Sequence, residues 1–478
     1  MSSINQILSV ANSALRASQA QVNTAAQNVA NANTEGYSRQ RVIQTARPGL
    51  RLPEGTLGLG VQIGGVERTR DSFLDASFRS ETTKAEGFRS QADLLRRVEA
   101  LTGEPGDEGL TSAIDRFFNA WSELSASPEE SGARASLRQQ AEALTFRFND
   151  LATSVDRLAV EGAERLQQST NRIRTLTDEL VRINQSIVAA ETGGVQSPDL
   201  RDSQDRALDE LAQLLPIDVQ QNNDGSVRVT VKGVGLVDGP LAKPVELESS
   251  GGEWRLRIQD IAIPLSASEG RVGGTMATLN NDLSQMRQGL DEIASALVTT
   301  VNTIHRGGTN PLGQEGIDFF DQPLDGDGNP IPVSATSFRL SAAVQASPQA
   351  IAAGVGSNPG LTEPIDPDEP PNSYLPGAND IALAISGLRD GPVGGFAQGV
   401  GNGWGEVLGN VANQIRQSQD GAQVHTSLAR QADVQRTDVS GVSIDEEMVR
   451  LIQAQSAYSA AARMISTADE MLQTLLRI

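Results

Sequence analysis

The residues best suited to chemistry are few and scattered. Asp325-Gly326-Asp327-Gly328-Asn329 opens like a calcium loop, with oxygen ligands at alternate positions. Its sixth position is Pro330, where such a loop turns on glycine. Its twelfth is Thr336, where a bidentate glutamate is required. The segment reads as an acidic turn. The two histidines, His305 and His425, lie far apart, so a histidine metal site or a serine triad would rest on one of them. His305 stands near a helix end, where the dipole favours a cation, and His425 lies in a polar helix. Both read as structural. Asp445, Glu446 and Glu447 resemble an acid cluster, but charges at a helix start explain them more simply. Asn28, Asn31 and Asn33, with Thr34 and Gly36, invite a ligand reading but suit a helix stop. The glycine-rich stretch 391–405 lacks lysine and the spacing of a phosphate loop. The chain has no cysteine, which removes disulfides, thiol catalysis and thiolate metal sites. No catalytic residue, cofactor or metal is expected.

Composition narrows the partners. There are 39 Lys plus Arg against 60 Asp plus Glu, a net charge of −21, which repels phosphate backbones and argues against nucleic acid. No run of roughly eighteen apolar residues exists, so no membrane span is expected. The start lacks the basic region and apolar core of a cleaved secretory signal. At 478 residues, two to four domains fit.

What the sequence specifies strongly is helices that need partners. Residues 1–34 carry one charged residue, Arg16. Ile4, Leu8, Ala11, Leu15, Ser18, Val22, Ala25, Val29 and Ala32 alternate in steps of four and three, a coiled-coil seam. Ile444, Met448, Leu451, Gln455, Tyr458, Ala462, Ile465, Leu472 and Leu475 make a second seam, interrupted by Asp469. Pairing the two seams makes the chain ends one domain and everything between them an insertion. The outer face of the first helix is Ser, Asn, Gln, Thr and Ala. Such a face can be buried against several neighbours without stranding a charge, but it holds little apolar area. The ends are therefore expected to order on assembly.

Between them, residues 37–70 look extended, and 71–101 look helical with an interruption near Gly87. A helix over 110–126 puts Ile114, Phe117, Phe118 and Trp121 on one face. A long helix over 129–191 keeps heptad order with a four-residue stutter at Leu158-Gly162-Leu166. Residues 216–265 alternate as strands, with turns at Asn223-Asp224-Gly225 and Ser250-Gly251-Gly252. Helices return at 274–305 and 405–438, around a Gly- and Pro-rich stretch containing Glu363 to Pro371. The expected fold is mainly α with an inserted β domain: paired terminal helices, a long helical bundle and a small β-rich outer domain. Its expected domains are 1–45 with 440–478, 46–215 with 271–306 and 380–439, 216–270, and an irregular or β segment at 307–379.

Ala25-Ala26-Gln27-Asn28-Val29-Ala30-Asn31-Ala32-Asn33-Thr34-Glu35-Gly36-Tyr37 resembles the helix-and-turn signature of the bacterial flagellar rod, hook and hook-associated axial proteins. Tyr37-Ser38-Arg39-Gln40 is similar to the hook-associated branch; hook and rod proteins more often have Phe-Lys there. Ser440 to Met448, Gln455 to Tyr458 and Ile465 to Met471 are similar to the same family, as are stretches from Asp199 and from Val301. The resemblance implies an extracellular tube in which terminal helices of many copies pack together. It implies a structural adaptor at the hook–filament junction, required for filament assembly and motility, exported by the flagellar type III route. The implied partners are further copies, hook protein, a second junction protein of the hook-associated protein 3 type and an export chaperone. The assembly surface would include Ile4, Leu8, Ala11, Leu15, Val22, Val29, Asn31, Asn33, Gly36, Tyr37, Met448, Leu451, Gln455, Tyr458, Ile465, Leu472 and Leu475. Hook or distal rod protein is the nearest alternative. A secreted enzyme on the same scaffold is a further one, and would need a convergent acid pair that the sequence does not display.

Overall fold

The computed structural model describes residues 2–52, 55–357 and 373–476. The Pro-rich run from Glu363 to Pro371 lies outside them. The chain opens with α1 (Ser2–Ala30), followed by β1 (Gln40–Ala46), β2 (Leu50–Leu52), β3 (Gly55–Leu57) and β4 (Val61–Arg68). The stretch expected only as extended is one long hairpin: β1 pairs antiparallel with β4, and β2 with β3 beyond them.

Four helices follow: α2 (Ser72–Thr102), α3 (Leu110–Ala126), α4 (Ser131–Glu191) and α5 (Pro198–Leu214). Asp71 starts α2 by accepting from the amides of Phe73 and Leu74, satisfying two donors that a helix start leaves unpaired. Every residue of the α3 face, Ile114, Phe117, Phe118 and Trp121, is buried. Phe117 packs at a tilt against Phe319 and Phe320, and Trp121 against Phe319, in an aromatic core. The heptad run of α4 is buried from Leu144 to Leu166. Its stutter residue Gly162 lies against Leu279, where a Cβ would come within 2.8 Å of a leucine methyl carbon.

The expected interruption of α2 at Gly87 does not occur; the helix runs through it. Glycine is there for approach. A Cβ on Gly87 would sit 2.4 Å from the carbonyl oxygen of Ala267, and one on Gly274 would sit 2.1 Å from that of Gly87. Gly87→Val should therefore force the two segments apart and destabilise the body by about 1–3 kcal/mol, read as a lower thermal midpoint. A midpoint at or above that of the parent would refute the close approach.

The β insert has two antiparallel sheets. β5 (Ile217–Gln221), β6 (Val227–Val231), β7 (Val234–Asp238) and β8 (Leu241–Ala242) lie in chain order; β10 (Glu253–Ile258) is flanked by β9 (Val245–Ser250) and β11 (Ile261–Ile263). Val227, Val229 and Val231 all face inward, as their alternation predicts. Then come α6 (Gly270–Ala277), a π turn at Thr278–Leu283, and α7 (Ser284–His305). This helical run begins four residues earlier than the pattern suggests and is not uniform. The stretch after it holds short helices, including α8 (Ala342–Ala346) and α9 (Asp380–Ser386), with isolated β-bridges. Within it, the Asp325 carboxylate accepts from the amides of Asp327 (3.0 Å) and Asn329 (2.8 Å), a self-contained turn. The chain closes with α10 (Val400–Ser440) and α11 (Ile444–Leu476).

His305 is structural, as expected, but it is no cation. Its ring is fully buried, with Nδ1 2.7 Å from the carbonyl oxygen of Ile317 and Nε2 accepting from the amide of Ala352 at 3.0 Å. Burial outweighs the raising influences of Ile317 and Asp318 and lowers its pKa to about 4. Folding thus favours the neutral ring. Its contribution is fully present above roughly pH 6.5 and is lost as pH falls towards about 4. Denaturant titrations should show on the order of 3 kcal/mol lost across that window. His305→Gln should flatten that part of the pH profile; an unchanged slope would contradict the assignment.

Candidate assembly joint at the chain ends

α1 and α11 lie along each other, and the end of α1 meets the start of α11, so the two run antiparallel. On α1 the expected seam holds: Ile4, Ala11, Ser18 and Ala25 are buried, while Leu8, Leu15, Val22 and Val29 are half-buried. On α11 half of the expected seam is shifted by one residue. Leu451, Ile465 and Leu472 do face α1, but the alternate positions are Glu447, Ala454, Ala461 and Ala468. Met448, Gln455 and Tyr458 are exposed, Ile444 likewise, and Ala462 is only half-buried. Asp469 thereby leaves the seam, which needs no blemish. The side chain of Leu475 lies outside the described ones. Larger apolar residues at 444 and 448 drew the expected line; small alanines made the real one, because they let two helices approach closely.

The helix stop has the expected form. Thr34 donates from its amide to the carbonyl of Asn31, Asn31 donates to the carbonyl of Gln27, and Asn33 is exposed. Gly36 takes a left-handed φ of +76°, and a Cβ there would fall 2.6 Å from the side chain of Arg206.

Asn28 is a different kind of residue from Asn31 and Asn33. It is fully buried and uses all its polar capacity. Its Nδ2 donates to the Gln40 carbonyl and to Glu447 Oε2, each at 2.9 Å. Its Oδ1 accepts from the Tyr37 hydroxyl at 2.9 Å and the Gln40 amide at 3.0 Å. One side chain thus ties α1, the turn, β1 and α11. Burial, then the nearby carboxylates Asp202, Asp199 and Glu447, push the Tyr37 pKa up to about 12, so the hydroxyl stays a donor.

Asp445, Glu446 and Glu447 all stand in the first turn of α11, as expected, but Glu447 also has a role in the joint. It is 1% exposed, and besides Asn28 it receives Arg39 Nε at 2.9 Å and Arg450 Nη1 at 3.2 Å. Arg39 also reaches Glu446 at 2.8 Å, and its amide donates to the carbonyl of Ser440.

Below this clasp lies an ion network that the sequence reading did not foresee. The Ser38 amide donates to Asp202. Arg68 bonds Asp202 and Asp205, both at 2.7 Å. Arg70 holds Asp75, Arg79 holds Asp205 and Asp209, and Arg436 holds Asp209 at 2.7 Å. Burial alone would raise the Asp205 carboxyl; Arg70, Arg68 and Arg79 outweigh it and hold it below the usual range. Burial likewise opposes the charge of Arg79, and Asp209 and Asp205 overcome it. A signal existed: Asp202, Asp205 and Asp209 stand at helical spacing on one face of α5. These carboxylates are committed to guanidinium groups and hold segments of the chain together. His425 is also tied into the body, with Nδ1 2.6 Å from Glu81.

Two chain ends clasped into one helix pair, and joined through charge to a helical body, are the architecture expected of an axial assembly protein. Comparison with known proteins agrees. Residues 95–320 match the helical domain of the flagellar hook-associated protein FlgK. Residues 8–37 match the flagella basal body rod protein model, and 435–478 the C-terminal model of the basal body rod FlgEFG proteins. The chain is 28% identical to flagellar hook-associated protein 1 of Bacillus subtilis, over 98% of this chain and 97% of the relative. It is 23% identical to that of Escherichia coli, over 99% and 100%. A solved structure of the hook junction protein FlgK from Burkholderia pseudomallei superposes with a TM-score of 0.64 at 15% identity, over 76% of this chain and all of that one. Along nearly its whole length the chain is similar to the hook-associated protein 1 (FlgK) family of flagellar axial proteins.

Proposed function

We propose that this chain is the structural adaptor between flagellar hook and filament, needed before a filament can grow. The observation that carries this is similarity to hook-associated protein 1 along nearly the whole length, with both ends meeting in one joint. As part of the extracellular flagellum, it would leave the cell by type III export with an uncleaved start, helped by a chaperone. Copies would associate through the terminal pair, 1–45 with 440–478, into a tube resting on hook protein and carrying a second junction protein of the hook-associated protein 3 type. Ile4, Ala11 and Leu15 would stabilise the pair and the half-buried Tyr37 its joint, while the exposed Gly36, Met448, Gln455 and Tyr458 would meet neighbours. The small apolar area of the pair means that it gains its full stability on assembly. The role is structural: the buried carboxylates of the joint bind its segments together.

Electron microscopy of a deletion strain tests this. Hooks of normal form without filaments, and filament subunits shed into the medium, are expected. Attached filaments would refute the junction role, and absent hooks would move the protein to the hook or rod.

A further inference from the structure

A long groove on the body takes no part in the joint. Its volume is about 1060 Å³, and it follows the π turn and α7 from Leu279 to Ala296. That is roughly 26 Å at 1.5 Å per residue. Leu279, Leu283 and Ala296 line it from this side, and Val155 and Ala159 from α4. Two half-buried aromatic rings, Trp254 and Phe396, complete the apolar lining. Trp254 stands beside Asn280 at one end, and the loop of Phe396 meets Ala296 at the other.

The walls are pinned to the helix that forms the floor. Asn280 Oδ1 accepts from the Trp254 amide and its Nδ2 donates to the Trp254 carbonyl, both at 2.8 Å. The Ala335 amide donates to Asp291 at 2.6 Å, two residues after the lining residue Val333. Val393 and Phe396 exchange backbone bonds at 2.9 Å. Within that turn, a Cβ on Gly394 would lie 2.8 Å from that of Ala296. A groove with fixed walls binds without first having to order them. Its charge is one-sided. Arg287 is the lining's one cation against Asp156, Asp291 and Glu292, a sum of 1 − 3 = −2. Arg287 is already held by Asp156 at 3.1 Å and by Asp291. Glu292 accepts from the side-chain amide of Gln288 at 2.8 Å and has no cation partner among the described residues.

We propose that this groove binds a short apolar peptide segment of a partner protein, one that carries a basic side chain. Half-covered apolar and aromatic groups supply the affinity, and the unbalanced carboxylates select a cation over an anion. About seven or eight extended residues span the groove. No residue of α1 or α11 lines it, so this contact is separate from association through the chain ends and stands whether or not the junction role holds.

Tryptophan emission reports on the site. Of the three tryptophans, Trp121 and Trp404 are fully buried, and only Trp254 borders the groove. The full chain is titrated with capped heptapeptides that alternate leucine with lysine, leucine with glutamate, and serine with lysine. The leucine–lysine peptide should give a saturable shift, and the other two should bind at least tenfold more weakly. Trp254→Phe should remove the shift. Glu292→Lys, at an exposed position, should weaken the leucine–lysine peptide at least threefold. Ala159→Phe should block it by filling the groove, with thermal midpoints checking each fold; if Ala159→Phe unfolds the body, Glu292→Lys decides. Absence of a saturable shift overturns the proposal. So does equal binding of the glutamate or the serine peptide, a shift that survives Trp254→Phe, or an unchanged affinity in Glu292→Lys.

Discussion

Asp205→Ala is expected to be the most damaging single change in the body. It removes the carboxylate shared by Arg68 and Arg79 and approached by Arg70, leaving buried guanidinium groups with one partner fewer. Breaking a buried ion network from one side typically costs about 3–5 kcal/mol, mostly from the charge left behind. Chemical denaturation should show a loss of that order, with the hairpin base of β1 and β4 exchanging amide hydrogens faster. A loss under about 1 kcal/mol would mean that the network is solvated like a surface pair. The pH dependence has a definite sign. The folded carboxyl is held below its usual value, so its contribution is present above roughly pH 4 and is lost as pH falls further. In Asp205→Ala that part of the acid limb should disappear.

Asn28→Leu is expected to separate the ends from the body while the body stays folded. The change roughly keeps volume but strands the Tyr37 hydroxyl, the amide and carbonyl of Gln40, and one bond of Glu447. Each buried polar group left unpaired costs about 1–3 kcal/mol, more than an alanine-rich helix pair can absorb. Hydrogen exchange should rise throughout α1 and α11 and stay low in α3 and α4, and filaments should not form. Asn28→Asp should be worse, since it brings a second carboxylate against Glu447. If either variant supports normal swimming, Asn28 is not the keystone of the joint.

Much of the architecture is legible in the residues because its helices obey simple periods. The α3 face and the α4 heptads are buried where spacing places them, and the alternation of β6 marks its inward side. Three things escape such reasoning. Gly87 looks like a helix break because a propensity cannot see that another backbone lies 2.4 Å from its missing side chain. The seam of α11 shifts to Ala454, Ala461 and Ala468 because large apolar residues outweigh small ones in a pattern, whereas close packing prefers the small. The joint itself is nearly invisible. Asn28 stands beside Asn31 and Asn33 in the same motif, and only the fold distinguishes one that closes a helix from one that bonds to residue 447. Likewise Arg68 and Asp205 lie 137 positions apart, a separation that no local pattern spans.

The body hangs from its helix pair by two strands of chain, residues 31–39 on one side and 441–443 on the other, pinned together where Arg39 meets Glu447 and Ser440. A load carried on one strand can swivel about it. A load carried on two parallel strands locked at the top can tilt, but it resists twisting. In the tubular assembly proposed above, a twist applied to the helix pair would therefore reach the body through both connections at once, with Arg39 and Glu447 locking one to the other.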